Sequence, residues 1–264
     1  MIQNNGASAF KSGGFLICKI LKAGICVYTF MKISIIIPTF NEEENVKQVI
    51  TYLLSIKQKE NIEIIIADGG STDKTLELAN KLNVITTISP VKGRAGQMNH
   101  GVTFATGDIF YFIHADSRPP LSYFTDIKMA LANGYNCGCY RSKFDSDSFL
   151  LRINAFFTRL NVLFCRGGDQ TIFVTKELFE KVGPYKNEML IMEDYDFLAR
   201  IRKHGKFKLF NKATLFSARK YDENSWLRVQ KANLKVVQMY KKGKSQQEML
   251  ETYKRMLNYR KNAF

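Results

Sequence analysis

The amino-acid sequence predicts an α/β fold, a mostly parallel sheet flanked by helices, followed by a basic helical extension. Three observations predict it: short β-branched runs alternate with stretches of helical periodicity, the connections between them are short, and polar clusters follow several of the strand runs. Strand–helix alternation of this kind is the mark of βαβ units, because parallel neighbours need a crossover that packs back onto the sheet. Such sheets bind ligands in the crevice outside the carboxyl ends of their strands.

The elements follow in order. Ile33 to Ile37 is a β-branched run closed by Pro38 and reads as a buried strand. Asn41 and the acids Glu42, Glu43 and Glu44 open a helix, where the dipole favours negative charge, and Val46, Val49, Ile50, Leu53 and Leu54 keep helical spacing. Ile62 to Ala67 is a second buried strand, Asp68 to Asp73 a loop, Leu76 to Leu82 a helix and Val84 to Ile88 a short third strand. A helix over Ala95 to Ala105 leads to a fourth buried strand, Ile109 to Ile113. The polar clusters Thr39 to Glu42, Asp68 to Asp73 and His114 to Asp116 therefore fall on one rim.

Beyond Pro120 the pattern loosens. Helices are predicted over Phe124–Ala132, Leu150–Phe164, Lys176–Val182, Asp194–His204 and Ser225–Tyr240, the last ending at Gly243, with a final basic helix after it. Cys137 to Phe144 reads as a strand, and Lys206 to Phe210 and Thr214 to Ser217 as two edge strands.

Composition bounds the function. With 264 residues, 45% of them hydrophobic in strand-length runs, the chain has the material for one α/β domain and an extension, and is not disordered. The net charge of +15 is unevenly placed: 18 of the 39 basic residues but only 4 of the 24 acids lie from Arg200 onward. The basic character thus belongs to the tail, which attracts phosphate groups unless its lysines are simply solvated. Cys18, Cys26, Cys137, Cys139 and Cys165 are odd in number and fit no zinc spacing, so free thiols in a reducing cytosol are expected.

Residues 1–30 stand apart. Phe15 to Phe30 is apolar but broken by Lys19, Lys22 and Gly24, too short for a comfortable membrane span and without a signal-peptide cleavage site. Met31 directly precedes the first strand and reads as the biological start, with residues 1–30 an upstream extension; a weak membrane anchor is the alternative. The expected organisation is an extension over 1–30, the α/β domain over 31–221 and a basic amphipathic tail over 222–264.

Six strings carry a family resemblance: Ile36-Ile37-Pro38-Thr39-Phe40-Asn41-Glu42, Ala67-Asp68-Gly69-Gly70-Ser71-Thr72-Asp73, Gly93-Arg94-Ala95-Gly96-Gln97-Met98-Asn99, His114-Ala115-Asp116, Gly168-Asp169-Gln170 and Met192-Glu193-Asp194. Each alone is weak, but in this order they resemble the motif series of the family-2 glycosyltransferases of GT-A fold, a Rossmann-like sheet flanked by helices. More narrowly, the third and fourth strings resemble a bacterial subgroup labelled arsenosugar-biosynthesis glycosyltransferases, some relatives of which carry a carotenoid-glycosyltransferase label.

The resemblance implies an inverting, metal-assisted transfer of sugar from a nucleotide-diphosphate sugar, UDP-sugars favoured, to an acceptor hydroxyl. It implies a donor site of Pro38, Glu42, Asp68, Gly70, Arg94, Asn99 and Asp116. Asp68 ends a strand and can accept from the base, or cap a turn; Glu42 meets ribose or base, or is simply a first-turn acid; Gly69 and Gly70 allow close backbone approach; Arg94 suits the diphosphate, or is a surface residue. A carboxylate-held Mg²⁺ or Mn²⁺ would neutralise the departing diphosphate, with Asp116 as the main ligand. The family usually has an acid where this chain has His114, which leaves open whether that ring binds metal, touches phosphate or packs.

The acceptor hydroxyl must lose a proton as it attacks, and Asp194 matches the family's general base, with Glu193 orienting the site; a helix N-terminal acidic cluster is the alternative. Gly168, Asp169 and Gln170 match a loop bordering acceptor and donor sugar, or a plain turn. Arg219 matches a basic-aromatic string that reaches the diphosphate, although Tyr221 stands where the subgroup carries Trp. Along the helix from Ser225, Arg228, Lys231, Lys235 and Lys242 recur at helical spacing opposite Trp226, Val229, Val236, Val237 and Tyr240, which fits an anionic bilayer or packing on the body. The expected partners are the nucleotide sugar, an unidentified acceptor and an anionic membrane surface, with nucleic acid not expected; the expected location is the cytoplasm, peripheral to the inner face of the membrane in the second reading. Two rivals remain. A nucleotidyltransferase would carry a glycine-rich loop where Pro38 to Glu42 has none, and a non-catalytic binder of membranes or phosphates would have no use for Asp68, Asp116 and Asp194.

Overall fold

The computed structural model describes residues 31–163 and 170–257; the expectations for 1–30, Gly168 and Asp169 lie outside them. Eight strands form one sheet: β1 (Ile33–Thr39), β2 (Ile62–Asp68), β3 (Ile85–Ile88), β4 (Ile109–Phe112), β5 (Ser117–Arg118), β6 (Cys137–Phe144), β7 (Ile172–Thr175) and β8 (Phe207–Phe216). Their order is β3-β2-β1-β4-β7-β6-β8-β5. The first four are parallel, as the alternation predicts. The crossovers from β1 to β2 and from β3 to β4 place those strands on opposite sides of β1, so the carboxyl end of β1 is a topological switch point with a crevice outside it.

The nine helices among the described residues are α1 (Glu43–Leu53), α2 (Thr75–Asn80), α3 (Arg94–Val102), α4 (Tyr123–Ala132), α5 (Phe149–Phe157), α6 (Lys176–Val182), α7 (Glu193–His204), α8 (Trp226–Lys241) and α9 (Gln246–Met256). The period-two alternation of the strands sorts the core into two layers. Ile33, Ile35 and Ile37 join Ile62, Ile64 and Ile66 beneath α1 and α4. Ile36, Ile65, Phe110 and Phe112 pack beneath α3, α6 and α7 on the other face. Each such side chain contributes roughly 1.5–3 kcal/mol by leaving water. Gly101 lets α3 lie close on β1, since a Cβ there would meet Ile36 Cγ2 at 2.6 Å.

The sheet departs from expectation in its second half. β7 has no counterpart in the sequence reading, yet it is buried and pairs antiparallel with both β4 and β6. Four residues running straight into a helix give too little alternation to be seen. β8 is one strand rather than two edge strands, and it lies between β6 and β5. Its register against β6 shifts between Cys139 and Arg141, near where Phe210 stacks on Tyr140 with ring centroids 4.5 Å apart. That break separated the two segments in the sequence. α5 ends at Phe157, short of the predicted Phe164.

The tail builds its own small core. Ser225 and Ser245 cap α8 and α9, accepting from the backbone N–H groups of Arg228 and Glu248. Val229, Ala232, Val236 and Met239 pack against Met249, Tyr253 and Leu257. The apolar face of α8 is thereby occupied within the protein, which decides the choice left open for Val229 and Val236. Among the described residues no helix is long and apolar enough to cross a membrane.

Candidate functional site

The loops after β1 and β2 clasp each other. Asp68 is fully buried; its Oδ1 accepts from the backbone N–H groups of Gly70 (2.8 Å) and Ser71 (2.7 Å), and its Oδ2 from the hydroxyls of Thr39 (3.0 Å) and Ser71 (2.6 Å). Gly70 sits at φ +91°, which glycine adopts without strain. Asn41 donates its N–H to Ser71 Oγ, and its side-chain carbonyl accepts from Thr72 N. Gln97, buried on α3, donates to the carbonyls of Thr39 (2.5 Å) and Ala67 (3.1 Å), closing the open ends of β1 and β2. The sequence reading quoted Gln97 within its string but gave it no role; a lone amide on the buried face of an apolar helix was the available signal.

The charged groups on the rim form two clusters, which meet through the loop that carries both His114 and Asp116. Arg219, just after β8, makes a two-pronged contact with Glu42 at 2.8 and 3.2 Å and reaches Asp116 Oδ2 at 3.3 Å. Burial opposes the charge on Arg219, but Glu42 and Asp116 outweigh it and raise its pKa. His114 Nε2 lies 3.5 Å from Asp194 Oδ2, and Arg94 Nε lies 2.8 Å from Glu193 Oε1. Glu42, Asp116, Arg219, His114, Asp194, Glu193 and Arg94 thus converge from β1, α3, β4, α7 and the segment after β8.

Glu193 and Asp194 are both buried at the start of α7, where unpaired N–H groups favour carboxylates. Met192 before them is left-handed at φ 68°, a conformation that costs a non-glycine residue ~1–3 kcal/mol and tends to mark functional sites. Burial raises the pKa of Glu193, Arg94 opposes the rise and Asp194 adds to it. Glu193 Oε1 and Asp194 Oδ2 accept no hydrogen bond among the described residues, because the Arg94 and His114 contacts lack hydrogen-bond geometry. Each of these oxygens therefore faces a cationic or ionisable side chain without an aligned hydrogen bond to it.

Two amides hold the segment leading into these acids. Asn99 accepts from Tyr185 N at 2.9 Å and donates to Tyr185 O and Asn187 Oδ1, both at 2.7 Å, so its side chain anchors this segment. Gln246, the first residue of α9, accepts from Leu190 N (3.1 Å) and Ile191 N (3.2 Å), while Ile191 and Met192 pack on the α8–α9 core. The sequence analysis missed Gln246; nothing local marks a tail glutamine as a partner of residues so far upstream. Gln170 is buried and accepts from the Cys139 thiol at 3.1 Å. Cys137 and Cys139 are buried, and burial pushes the Cys137 thiol up to about 12. Pro38 is buried at the end of β1 beside Ala67.

A hard divalent cation fits this rim through Asp116, a half-buried carboxylate at a strand end. Among the described residues no three His, Cys, Asp or Glu side chains are gathered to hold a metal, so such an ion would draw its other ligands from phosphate and water, as Mg²⁺ commonly does. His114 faces Asp194, which suits a partner of that acid. A cavity of about 730 Å³ between α1 and β5, lined by Lys47, Gln48, Thr51, Tyr52, Arg118 and Leu215, holds none of these groups.

The model of the family described as glycosyl transferase family 2 matches residues 34–182, more than half of the chain. The chain is 32% identical over 109 residues to a dolichol-phosphate mannosyltransferase of Pyrococcus furiosus, covering 39% of this chain and 31% of that protein. It is 29% identical over 194 residues to a PGL/p-HBAD biosynthesis glycosyltransferase of Mycobacterium bovis, covering 63% of this chain and 68% of that one. The first of these matches thus spans less than a third of its relative. Among solved structures, the mannosyltransferase PcManGT of Pyrobaculum calidifontis with GDP-Man and Mn²⁺ superposes with a TM-score of 0.62 at 14% identity, over 90% of this chain and 73% of that one. Residues 1–349 of S. aureus TarS in complex with UDP give 0.60 at 18% identity, over 71% and 61%. These likenesses fix the fold as GT-A. By its matched residues, the chain belongs to glycosyl transferase family 2.

Proposed function

We propose that the protein is an inverting glycosyltransferase that moves a sugar from a nucleotide-diphosphate sugar, a UDP-sugar in preference, to an acceptor hydroxyl. The observation that carries this reading is the gathering of two charge clusters, Glu42–Arg219–Asp116 and Arg94–Glu193–Asp194–His114, at the switch point of the sheet. A binder of anions has no use for two buried carboxylates side by side, and neither alternative function is favoured by any feature of the rim. In this reading the clasped loops around Asp68 and Gly70 form the base and ribose end of the cleft. Asp68 shapes that end through its hydrogen bonds, and Glu42 meets the ribose.

Arg219 then exchanges its contacts with Glu42 and Asp116 for the diphosphate, and Arg94 supplies a second cation from the start of α3. Asp116 would hold Mg²⁺ or Mn²⁺, which supplies the charge that stabilises the leaving diphosphate. Asp194 takes the proton of the acceptor hydroxyl as it attacks, His114 and Glu193 hold it in place, and one displacement inverts the anomeric centre. The acceptor side is assigned by the resemblance to the string that ends in Gln170, which is buried beside Cys139. The subgroup resemblance of the Gly93–Asn99 and His114–Asp116 strings, the acceptor's identity and a cytoplasmic, membrane-peripheral location belong to the same proposal. The relative whose name includes dolichol phosphate supports a membrane setting. The test is a thermal-shift screen of UDP- and GDP-sugars with and without Mn²⁺. One donor should raise the melting temperature, more so with Mn²⁺, and Asp116→Asn should remove the Mn²⁺ increment. A full screen without any stabilising donor would sink the reading.

A further inference from the structure

The helix α5 is built the wrong way round for a helix of a protein core. Its sequence, Phe149-Leu150-Leu151-Arg152-Ile153-Asn154-Ala155-Phe156-Phe157, is largely apolar, yet Leu151 is its only fully buried residue. At 100° per residue, Phe149, Leu150, Ile153, Phe156, Phe157 and, in the turn beyond, Leu160 share an arc of roughly 120°. An arc of that width normally faces the core. Here Phe149 is 73% exposed, Phe156 56% and Phe157 48%. The opposite side makes the attachment: Leu151 is buried, and Thr158 Oγ1 accepts from Ser142 N at 3.0 Å.

Cations border this stripe. Arg152 and Arg159 lie one above the other on its flank; Arg152 is paired with exposed Asp147 at 3.3 Å, and Arg159 lies over the Phe156 ring at 5.2 Å. On the other flank Asn154 accepts from the Trp226 indole N–H at 3.2 Å, which sets the start of α8 against α5. From there α8 turns Leu227, Lys231, Leu234 and Lys235 outward, since its inward face is spent on α9. An apolar stripe edged by guanidinium and ammonium groups is the pattern of a helix lying in a membrane interface, with aromatic rings below the headgroups and cations among them.

We propose that α5, aided by the outer face of α8, docks the protein on an anionic lipid bilayer, with the Phe149–Leu160 stripe inserted at the level of the acyl boundary. This assigns the membrane contact to α5, where the sequence pointed to the tail and, in its alternative reading, to residues 1–30. It deepens the membrane-peripheral part of the proposed function, and its failure is distinguishable from failure of the sugar-transfer reading because donor binding and vesicle binding are separate measurements.

The test is co-sedimentation of the full chain with vesicles of phosphatidylcholine containing about 30% phosphatidylglycerol, at about 0.15 M salt. The wild-type protein should bind these vesicles and bind pure phosphatidylcholine at least about tenfold less. Phe156→Ser with Phe157→Ser should weaken binding at least about tenfold while leaving the melting temperature unchanged or higher, as expected for rings that contact solvent. Arg152→Glu with Arg159→Glu should weaken binding mainly at low salt, and provides a second test with the apolar stripe intact. The proposal is overturned if the full chain ignores anionic vesicles, if both double variants bind like wild type, or if the protein is a dimer that the phenylalanine variant converts to a monomer without changing vesicle binding.

Discussion

Removing the Arg94 guanidinium leaves Glu193 buried beside a second buried carboxylate, Asp194. The ion pair is 2.8 Å long, with Glu193 at 2% exposure and Arg94 at 30%. Breaking a fully buried pair costs ~3–5 kcal/mol. Because Arg94 is partly solvated and Glu193 can escape by taking a proton, Arg94→Ala should cost about 2–3 kcal/mol at neutral to alkaline pH. For a chain of this size that lowers the melting temperature by about 5–10 °C.

The sign of the pH dependence follows from burial. The folded pKa of Glu193 already lies above its unfolded value, so its contribution is fully present below the unfolded pKa and is lost as pH rises through the folded one. Without Arg94 the folded pKa rises further, and the loss extends to higher pH. Melting curves of wild type, Arg94→Ala, Glu193→Gln and the double variant at about pH 5 and about pH 8 form a cycle that isolates the pair. The Arg94→Ala deficit should be larger at the higher pH, and Glu193→Gln should relieve most of it. An equal deficit at both pH values, or a double variant no more stable than Arg94→Ala, would refute the claim that Arg94 opposes the effect of burial on the Glu193 carboxylate.

Two further variants address the chemistry. Asp194→Asn should lower transfer by about 10²–10⁴-fold with donor affinity unchanged, read from turnover beside a thermal shift; a variant retaining more than a tenth of wild-type turnover would remove Asp194 as the base. Gln246→Ala should release Leu190 N and Ile191 N and lower turnover several-fold at unchanged donor affinity, while Gln246→Glu, which still accepts both bonds, should restore much of it. Equal turnover in the two would show that the tail does not position the acids.

The parallel half of the sheet and the rim it presents were determined by the sequence alone. Ile33–Ile37, Ile62–Ala67 and Ile109–Ile113 are buried on both faces, so each is a continuous apolar run, and the polar residues beyond them lie on the binding rim by topology. The acids Glu42, Asp116, Glu193 and Asp194 were legible for the same reason, since each stands at a strand end or a helix start. What only the tertiary structure decided is where segments meet across the sheet. β7 is too short to show a period, β8 hides its continuity behind a register shift, and Arg219 reaches Glu42 from far along the chain. Asn99 and Gln246 became anchors of the acid-bearing segment through hydrogen bonds to distant backbone, which leave no trace in local spacing. The outward stripe of α5 shows the same limit. Periodicity reveals that a helix has an apolar face, but only packing decides whether that face meets the core or solvent.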